Sequence, residues 1–326
     1  MKKIYVIAVT YPIEGLFAIV NSILDHTIAA KKKDYIPIVD LKHYYNQYFK
    51  SKRVFKDNAW EYFFEQPCGY SLNDIDEDSE VVISPNLQFT SDGDVIWNRE
   101  VPTNKKNQSK NLIRRKNIYK NLLKFNPETQ EYLIKNSFEI LKNKEEVLGV
   151  LYRGTDYTKK RTRGEYIQPS LSEVIKKIKQ TIKKYPKIKK IYLATEDDGI
   201  YKTFQKTFGD MLIPNNQYKY MYDKKDTRYL SEIKIMEENH NYNIARDYLL
   251  SIYILSKLKY FVGGLTTGSK WAWILSDDWK YFHIWNIGCY GKTLKERIFS
   301  RTTTIINSKK YTIIQILGLK FKIKLK

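Results

Sequence analysis

Cysteine, histidine and long apolar runs are all scarce in this sequence of 326 residues. Its two cysteines, Cys68 and Cys289, are too few for a disulfide framework, so we expect two buried thiols in a reducing compartment. Only His283 lies near either of them in the sequence, which is too little for a zinc site. No run reaches the roughly 18 apolar residues that a membrane-spanning helix needs. The first apolar run, residues 4–9, lacks a signal-peptide cleavage site and predicts a strand.

Acidic residues are also fewer than basic ones. The sequence has 57 Lys and Arg and 36 Asp and Glu, which gives a net charge of +21. Nucleic acid, an anionic membrane surface or an anionic ligand would each suit this charge, and a solvated basic surface explains much of it. No nucleic-acid-binding motif is present. The C-terminal segment 313–326 alternates basic and apolar residues near its end, which fits an edge strand or a basic membrane-surface segment.

The order of apolar segments predicts an α/β protein. Strands at 4–9 and 35–39 flank Gly15 and a helix at 16–25, and Gly15 would place backbone near a cleft between domains. Helical patterns follow at 111–123 and 126–141, and an Asn-Pro pair caps the second. The length favours two domains, and the charged stretch 142–146 divides them into 1–145 and 146–326.

The second half alternates regularly between helix and strand. Ser170 and Glu173 form a capping box at the start of a helix. The further predicted elements are a strand at 191–195, a helix at 243–258, a strand at 260–262, a helix at 269–275 and a strand at 281–287.

Two other regions of the first half have simpler interpretations. The aromatic residues within 42–70 are predicted mainly as core, with a sugar-stacking acceptor surface as the alternative. The acidic run 74–78 is predicted as a solvated loop. The sequence Asp92-Gly-Asp94 resembles a metal-binding Asp-x-Asp, but its surroundings favour a turn, so we expect no metal.

Three apolar strands of the second half end in residues suited to an anionic ligand. One runs into Arg153, with Gly154, Thr155 and Asp156 beside it, and the next into Glu196 and Asp197. Arginine has a fork of donors suited to phosphate oxygens. The third meets the turn Thr266, Thr267, Gly268 and Ser269 before a helix, where free backbone N–H groups suit a diphosphate. The carboxyl ends of parallel strands are where open α/β sheets bind ligands.

The order and spacing of these segments resemble the α1,6/α1,2/protein-O-fucosyltransferase superfamily, which includes nodulation-type enzymes. The family's His-x-Arg-x-Thr-Asp aligns with Leu151, Arg153, Thr155 and Asp156, and its Tyr-Leu-Ala-Thr-Asp-Asp with residues 192–197. Two positions depart from the family, because Leu151 replaces its histidine and Ser251 replaces an aspartate. In the resembled enzymes, the histidine and the aspartate at these two positions bind the guanine base. Asp247 lies one helical turn before Ser251 and is the candidate substitute.

The resemblance implies a GT-B glycosyltransferase, with two Rossmann-like domains facing across a cleft. It implies a nucleotide-sugar donor, a GDP-sugar first. With the cationic and backbone donors of these segments in place, we expect no metal or cofactor. Arg153 and the turn 266–269 would hold the diphosphate, and Glu196 and Asp197 would bind the ribose or order the Arg153 loop. An acceptor base is expected in the loop after Arg153, with Glu165 first and Asp156 second.

The expected acceptor is a glycan or lipid-linked glycan of bacterial surface polysaccharide synthesis. The resembled Golgi enzymes carry a membrane anchor, and no apolar run of this sequence is long enough for one. We therefore expect a cytoplasmic enzyme, at most peripheral to the membrane. The alternatives are a basic nucleic-acid-binding protein and another α/β enzyme that acts on a phosphorylated ligand.

Overall fold

The protein is described here by a computed structural model of residues 1–8, 15–44, 46–48, 56–84, 101–155, 158, 161, 164–215, 217–221, 233, 235, 237, 239–290, 299–306, 309–316 and 319–324. These residues form two parallel sheets and one antiparallel sheet, with helices packed on the parallel ones. The predicted α/β class is confirmed.

The first sheet contains three parallel strands in the order β2-β1-β3. Its strands are β1 (Lys3–Ala8), β2 (Ile36–Asp40) and β3 (Glu80–Ile83), and helix α1 (Leu16–Lys31) connects β1 to β2. The predicted strand, helix and strand are therefore confirmed. Helix α1 continues past its predicted end because Ala29 and Ala30 extend the buried face.

Strand β3 is absent from the sequence-based prediction. Its Val81, Val82 and Ile83 are exposed at the sheet edge, so no buried face marks the segment as a strand. The acidic run before β3 is exposed, as expected of a solvated loop. Of the aromatic residues within 42–70, Trp60, Phe63 and Phe64 are buried, which confirms their prediction as core.

The second sheet contains four parallel strands in the order β5-β4-β6-β7. These are β4 (Val147–Leu151), β5 (Lys190–Ala194), β6 (Tyr260–Gly264) and β7 (Tyr281–Trp285). The intervening helices are α4 (Leu171–Lys184), α5 (Asp198–Phe208), α6 (His240–Lys257) and α7 (Thr267–Leu275). In α4, the predicted capping box is present, since Ser170 Oγ accepts from the Glu173 N–H at 3.3 Å and Glu173 accepts from the Ser170 N–H at 2.8 Å.

Each face of this sheet has its own apolar cluster, because successive strand residues point to opposite faces. Leu148 and Val150 of β4 pack with residues of α4 and α5, whereas Val147 and Leu151 pack with residues of α6 and α7. Helix α1 joins the second cluster, in which Phe17 stacks on Trp271 with ring centroids 5.4 Å apart.

Two helices precede the second sheet, α2 (Lys110–Leu122) and α3 (Pro127–Leu141), which confirms both helical predictions. Asn126 caps α3 by accepting the Thr129 N–H at 2.8 Å. Helix α2 packs on α7, and α3 packs on α6.

The chain continues into an antiparallel sheet of β8 (Phe299–Ile306), β9 (Lys309–Ile316) and β10 (Leu319–Lys324), in the order β10-β9-β8. The edge-strand interpretation of the C-terminal segment is thus confirmed for β10. Within the part of the chain described, we find no helix with the length and apolar character needed to cross a bilayer.

Candidate active site

The loop after β4 is held by the acidic end of β5. The Arg153 Nε lies 3.3 Å from Glu196 Oε1, and the same oxygen accepts the Gly154 N–H at 3.3 Å and the Thr155 hydroxyl at 3.1 Å. Asp197 accepts the Thr155 N–H at 3.0 Å. Strands β4 and β5 are parallel neighbours, so their carboxyl ends bring these side chains together. Of the two roles considered for Glu196 and Asp197, these contacts match the ordering of the Arg153 loop.

Packing explains the glycine and the unusual backbone of this loop. A methyl group added at Gly154 would overlap Ile200 and the Asp197 carboxylate, so only glycine allows this approach. Thr155 is fully buried and has a φ of 45°, in the left-handed region that costs a threonine conformational energy. Its backbone and side-chain hydrogen bonds to Asp197 and Glu196 offset this cost.

Asp197 has a second role as the N-cap of α5. Its Oδ1 accepts the Ile200 N–H at 3.0 Å. Helix α5 is absent from the sequence-based prediction, which assigned the acidic residues at the end of β5 to ribose binding or to ordering of the Arg153 loop. An aspartate before a helix is a standard capping signal, and it was the available indication of α5.

The turn after β6 forms a capping box at the start of α7. The Ser269 N–H donates to Thr266 Oγ1 at 3.1 Å, and the Thr266 N–H donates to Ser269 Oγ at 2.9 Å. These two hydroxyls therefore bond within the turn. Helix geometry leaves the N–H groups of Thr267 and Gly268 without intrahelical acceptors, and these are the groups suited to an anion.

A buried lysine that sequence reasoning missed lies in the first turns of α7. Lys270 is 3% exposed, and its Nζ lies 3.1 Å from the Tyr166 hydroxyl and 4.9 Å from the centre of the Tyr166 ring. Side chains on a helix lean toward its N-terminus, and Lys270 directly follows the 266–269 turn in the chain. A lysine is rarely buried, and this rarity was the sequence-level signal inside the apolar pattern of α7.

Glu165 lies in a segment that pairs with residues 288–290, which follow β7 in the chain. Its carbonyl accepts the Tyr290 N–H at 2.8 Å, and the Ile167 N–H donates to the Gly288 carbonyl at 2.9 Å. The residue is half-buried. Asp156, the second candidate base, and the turn Asp92-Gly-Asp94 lie outside the described residues.

Asp247 lies on α6 at a small polar pocket of about 230 Å³. The pocket is also lined by Tyr132, Tyr192, Asn215, Gln217 and Ser251, among others. Asp247 accepts a hydrogen bond from the Tyr132 hydroxyl at 3.2 Å, and burial raises the pKa of its carboxyl. Ser251 is buried, and its Oγ accepts a hydrogen bond from the Tyr192 hydroxyl at 3.1 Å. Leu151 is buried on the same face of the sheet, in the apolar cluster that includes Tyr192.

Gly15 is the N-cap of α1 and has extended backbone, with a φ of −66° and a ψ of 152°. A methyl group added there would meet nothing within 4 Å, so packing among the described residues does not require a glycine. Among the described residues, no group of three or more His, Cys, Asp and Glu side chains is arranged to hold a metal ion.

Comparison with known proteins by sequence finds no match, either to a protein-family model or to a curated protein. Comparison of structures finds the NodZ α1,6-fucosyltransferase co-crystallised with GDP, at 11% identity and a TM-score of 0.51, with 99% of each chain covered. NodZ from Bradyrhizobium has 12% identity and a TM-score of 0.48, with 85% of this chain and 94% of that chain covered. A variant of Arabidopsis thaliana FUT1 in complex with GDP has 10% identity and a TM-score of 0.45, with 85% of this chain and 69% of that chain covered. The first of these matches shows that this chain shares the fold of that NodZ structure.

Proposed function

We propose that this chain is a metal-independent, inverting glycosyltransferase that moves a sugar from a nucleotide sugar to a glycan acceptor. The observation that carries the proposal is the convergence, on a fucosyltransferase-like fold, of Arg153, Glu196 and the capped N-terminus of α7 at one edge of the sheet. A GDP-sugar with a fucose-like sugar is the leading donor, because the NodZ structure of similar fold was co-crystallised with GDP.

Departure of the diphosphate is the step that these groups serve. When the bond from the anomeric carbon to the diphosphate breaks, its electron pair goes to a phosphate oxygen. Arg153 brings a cation to that oxygen, and the Thr267 and Gly268 N–H groups add the positive end of the α7 dipole. Glu196 holds the arginine in place at 3.3 Å, so that little reorganisation is needed as negative charge develops.

The pocket beside Asp247 is the proposed site for the nucleotide base. A carboxylate pairs with the N1 and N2 donors of guanine, and Asn215 and Gln217 offer amide groups in the same pocket. Asp247 would thereby replace the carboxylate that Ser251 lacks. Leu151 would contribute apolar contact only.

Glu165 is the proposed base that takes the proton of the acceptor hydroxyl as that oxygen bonds to the sugar, and Asp156 is its alternative. Both follow Arg153 in one connection of the chain, so this connection would carry leaving-group and acceptor chemistry together. In the proposed two-domain arrangement, residues 1–145 provide the acceptor side and Gly15 borders the cleft. Residues 146–326 hold the donor.

The acceptor is proposed to be a glycan or lipid-linked glycan of a bacterial surface polysaccharide, and the site of action to be the cytoplasm. The net charge of +21 is compatible with peripheral attachment to an anionic inner membrane surface.

The decisive test is a donor screen. The purified chain would be incubated with GDP-, UDP-, CDP- and ADP-sugars, with release of the nucleoside diphosphate measured as the product. We expect release from a GDP-sugar, GDP-fucose first, and stimulation by a glycan acceptor. Absence of release and of binding with all four donor classes would contradict the proposal. Tight binding of duplex or single-stranded nucleic acid in its place would favour the nucleic-acid alternative.

A further inference from the structure

We propose that the Tyr248 hydroxyl is a donor-binding group that gives a hydrogen bond to the β-phosphate of the nucleotide sugar, the phosphate that bears the sugar. The inference rests on the proposed function and adds to it a residue outside the three strand-end segments. Tyr248 lies on α6, one position after Asp247.

The first support is the position of the hydroxyl at the start of α7. A methyl group added at Gly268 would overlap the Tyr248 oxygen and would also lie 3.1 Å from Ile252 and 3.2 Å from Leu151. Gly268 is in the first turn of α7, where the helix presents N–H groups to an anion. The Tyr248 hydroxyl therefore lies beside the proposed diphosphate site, and the glycine makes room for it.

The second support is the charge around the hydroxyl. Burial raises the pKa of Tyr248 to about 12, whereas the Arg153 charge lowers it and the Glu196 charge raises it. Both charges of the Arg153–Glu196 pair therefore influence the pKa of the Tyr248 phenol. At neutral pH the phenol keeps its proton, so the group that it offers a phosphate oxygen is an O–H donor.

The third support is the fixed position of the ring. Tyr248 meets Phe17 of α1 edge-on, with ring centroids 5.6 Å apart and planes at 70°. Phe17 in turn stacks on Trp271 of α7, whose indole N–H donates to Asn21 at 2.7 Å. A ring packed between α1 and α7 holds its hydroxyl in one place, which suits a preorganised contact to a ligand.

Replacement by phenylalanine isolates the hydroxyl, because Tyr248→Phe keeps the ring and its packing. The matched control is Tyr253→Phe, which removes a hydroxyl from the same helix near Lys257 and away from α7's first turn. Binding of GDP and UDP would be measured by calorimetry for the native chain and both variants, with GMP and UMP as matched monophosphates. Melting temperatures would be recorded for all three proteins.

We expect Tyr248→Phe to weaken binding of the preferred diphosphate by about tenfold to a hundredfold, as for loss of a hydrogen bond to a charged group. The monophosphate should bind both variants and the native chain alike, and the melting temperature should match that of Tyr253→Phe. A structural role alone would not separate diphosphate from monophosphate.

Two results would overturn the inference and leave the proposed function standing: native-like diphosphate binding by Tyr248→Phe, or an equal loss for diphosphate and monophosphate. Failure of the native chain to bind either diphosphate would overturn the proposed function, and this inference with it.

Discussion

The Glu196 carboxylate lies 3.3 Å from the Arg153 Nε, and the same oxygen accepts the Gly154 N–H and the Thr155 hydroxyl. One carboxylate therefore orders three consecutive residues of the loop that follows β4. The arrangement fixes the arginine at the carboxyl edge of the sheet before any ligand arrives. This preorganisation underlies the proposed role of Arg153 in stabilising the leaving diphosphate.

Replacement of Arg153 by alanine should remove transfer and leave the fold intact. Loss of one preorganised donor to a developing charge costs on the order of 10²–10³ in rate. The measurement is steady-state transfer from the preferred donor, together with the melting temperature. Arg114→Ala, on the exposed face of α2, is the matched control and should keep native activity. Unchanged turnover in folded Arg153→Ala would remove this residue from the site.

Replacement of Glu165 by glutamine should slow transfer while donor binding stays close to native. General-base catalysis contributes about 10²–10⁴ in rate, and the amide cannot take the acceptor's proton. Single-turnover transfer and calorimetric donor binding would be compared with Glu139→Gln, an exposed position on α3. If Glu165→Gln transfers at the native rate and Asp156→Asn does not, the base is Asp156.

Local signals predicted most of the elements around the site. The capping box at Ser170 and the Asn126-Pro127 pair marked helix starts that the structure confirms within a residue. The apolar runs of β4, β5 and β6 marked strands because both faces of these strands are buried. The edge strand β3 was missed because its apolar side chains are exposed.

The contacts across the site depend on distances in space that the sequence does not contain. Tyr248 and Gly268 meet because of how α6 and α7 pack, and no spacing along the chain indicates which tyrosine of α6 faces that glycine. Likewise, Asp197 fitted two roles in the sequence, and only the structure shows that it caps α5 and accepts from Thr155. The proposed ligand contacts of these residues remain predictions.

Transfer should survive removal of divalent metal. Arg153 and the backbone N–H groups of α7 are proposed to stabilise the negative charge of the leaving diphosphate. A metal ion is then not needed for this step. Activity would be measured after dialysis against EDTA and again after addition of manganese or magnesium. Loss of activity in EDTA with recovery in manganese would show a metal-dependent transferase.

Replacement of Lys116 by methionine should stabilise the protein at neutral pH. Burial and, to a smaller extent, the Lys120 charge lower the pKa of Lys116 to about 8, so the native fold disfavours the ammonium form. The amine donates to Ser276 Oγ at 2.8 Å, and it lies 5.3 Å from the centre of the Trp273 ring. Because the group is only partly buried, we expect a gain of about 1–2 kcal/mol in the free energy of unfolding.

The stabilising effect of Lys116→Met should depend on pH. Below the folded-state pKa of about 8, lysine is charged in both states and the native chain carries the full burial penalty. Above that pH the folded protein loses the proton while the unfolded chain keeps it, so the native chain gains stability as pH rises toward the ordinary lysine pKa. In urea unfolding, the difference in the free energy of unfolding between Lys116→Met and the native chain should be smaller at pH 10 than at pH 7. Lys110→Met, at an exposed position of the same helix, should show no such change.

The nucleotide base should be read by Asp247, with GDP binding more tightly than UDP. Guanine offers two donors to a carboxylate, whereas uracil offers one, and hydrogen-bonded base recognition discriminates strongly. Calorimetric titration with GDP and UDP would measure the difference. Asp247→Asn should weaken GDP binding by about tenfold to a hundredfold, because the amide repels one of the guanine donors. Asp210→Asn, at an exposed position, is the control.

Acid should weaken GDP binding through the same residue. Burial raises the pKa of Asp247 above its ordinary value, so the carboxylate takes up a proton at a higher pH than an exposed aspartate does. The protonated form loses an acceptor, and GDP affinity should fall as pH is lowered through the raised pKa, whereas Asp247→Asn should lack this part of the pH dependence. Native GDP binding by Asp247→Asn would assign base recognition to another group. Tighter binding of UDP would refute the GDP assignment and leave the transferase proposal intact.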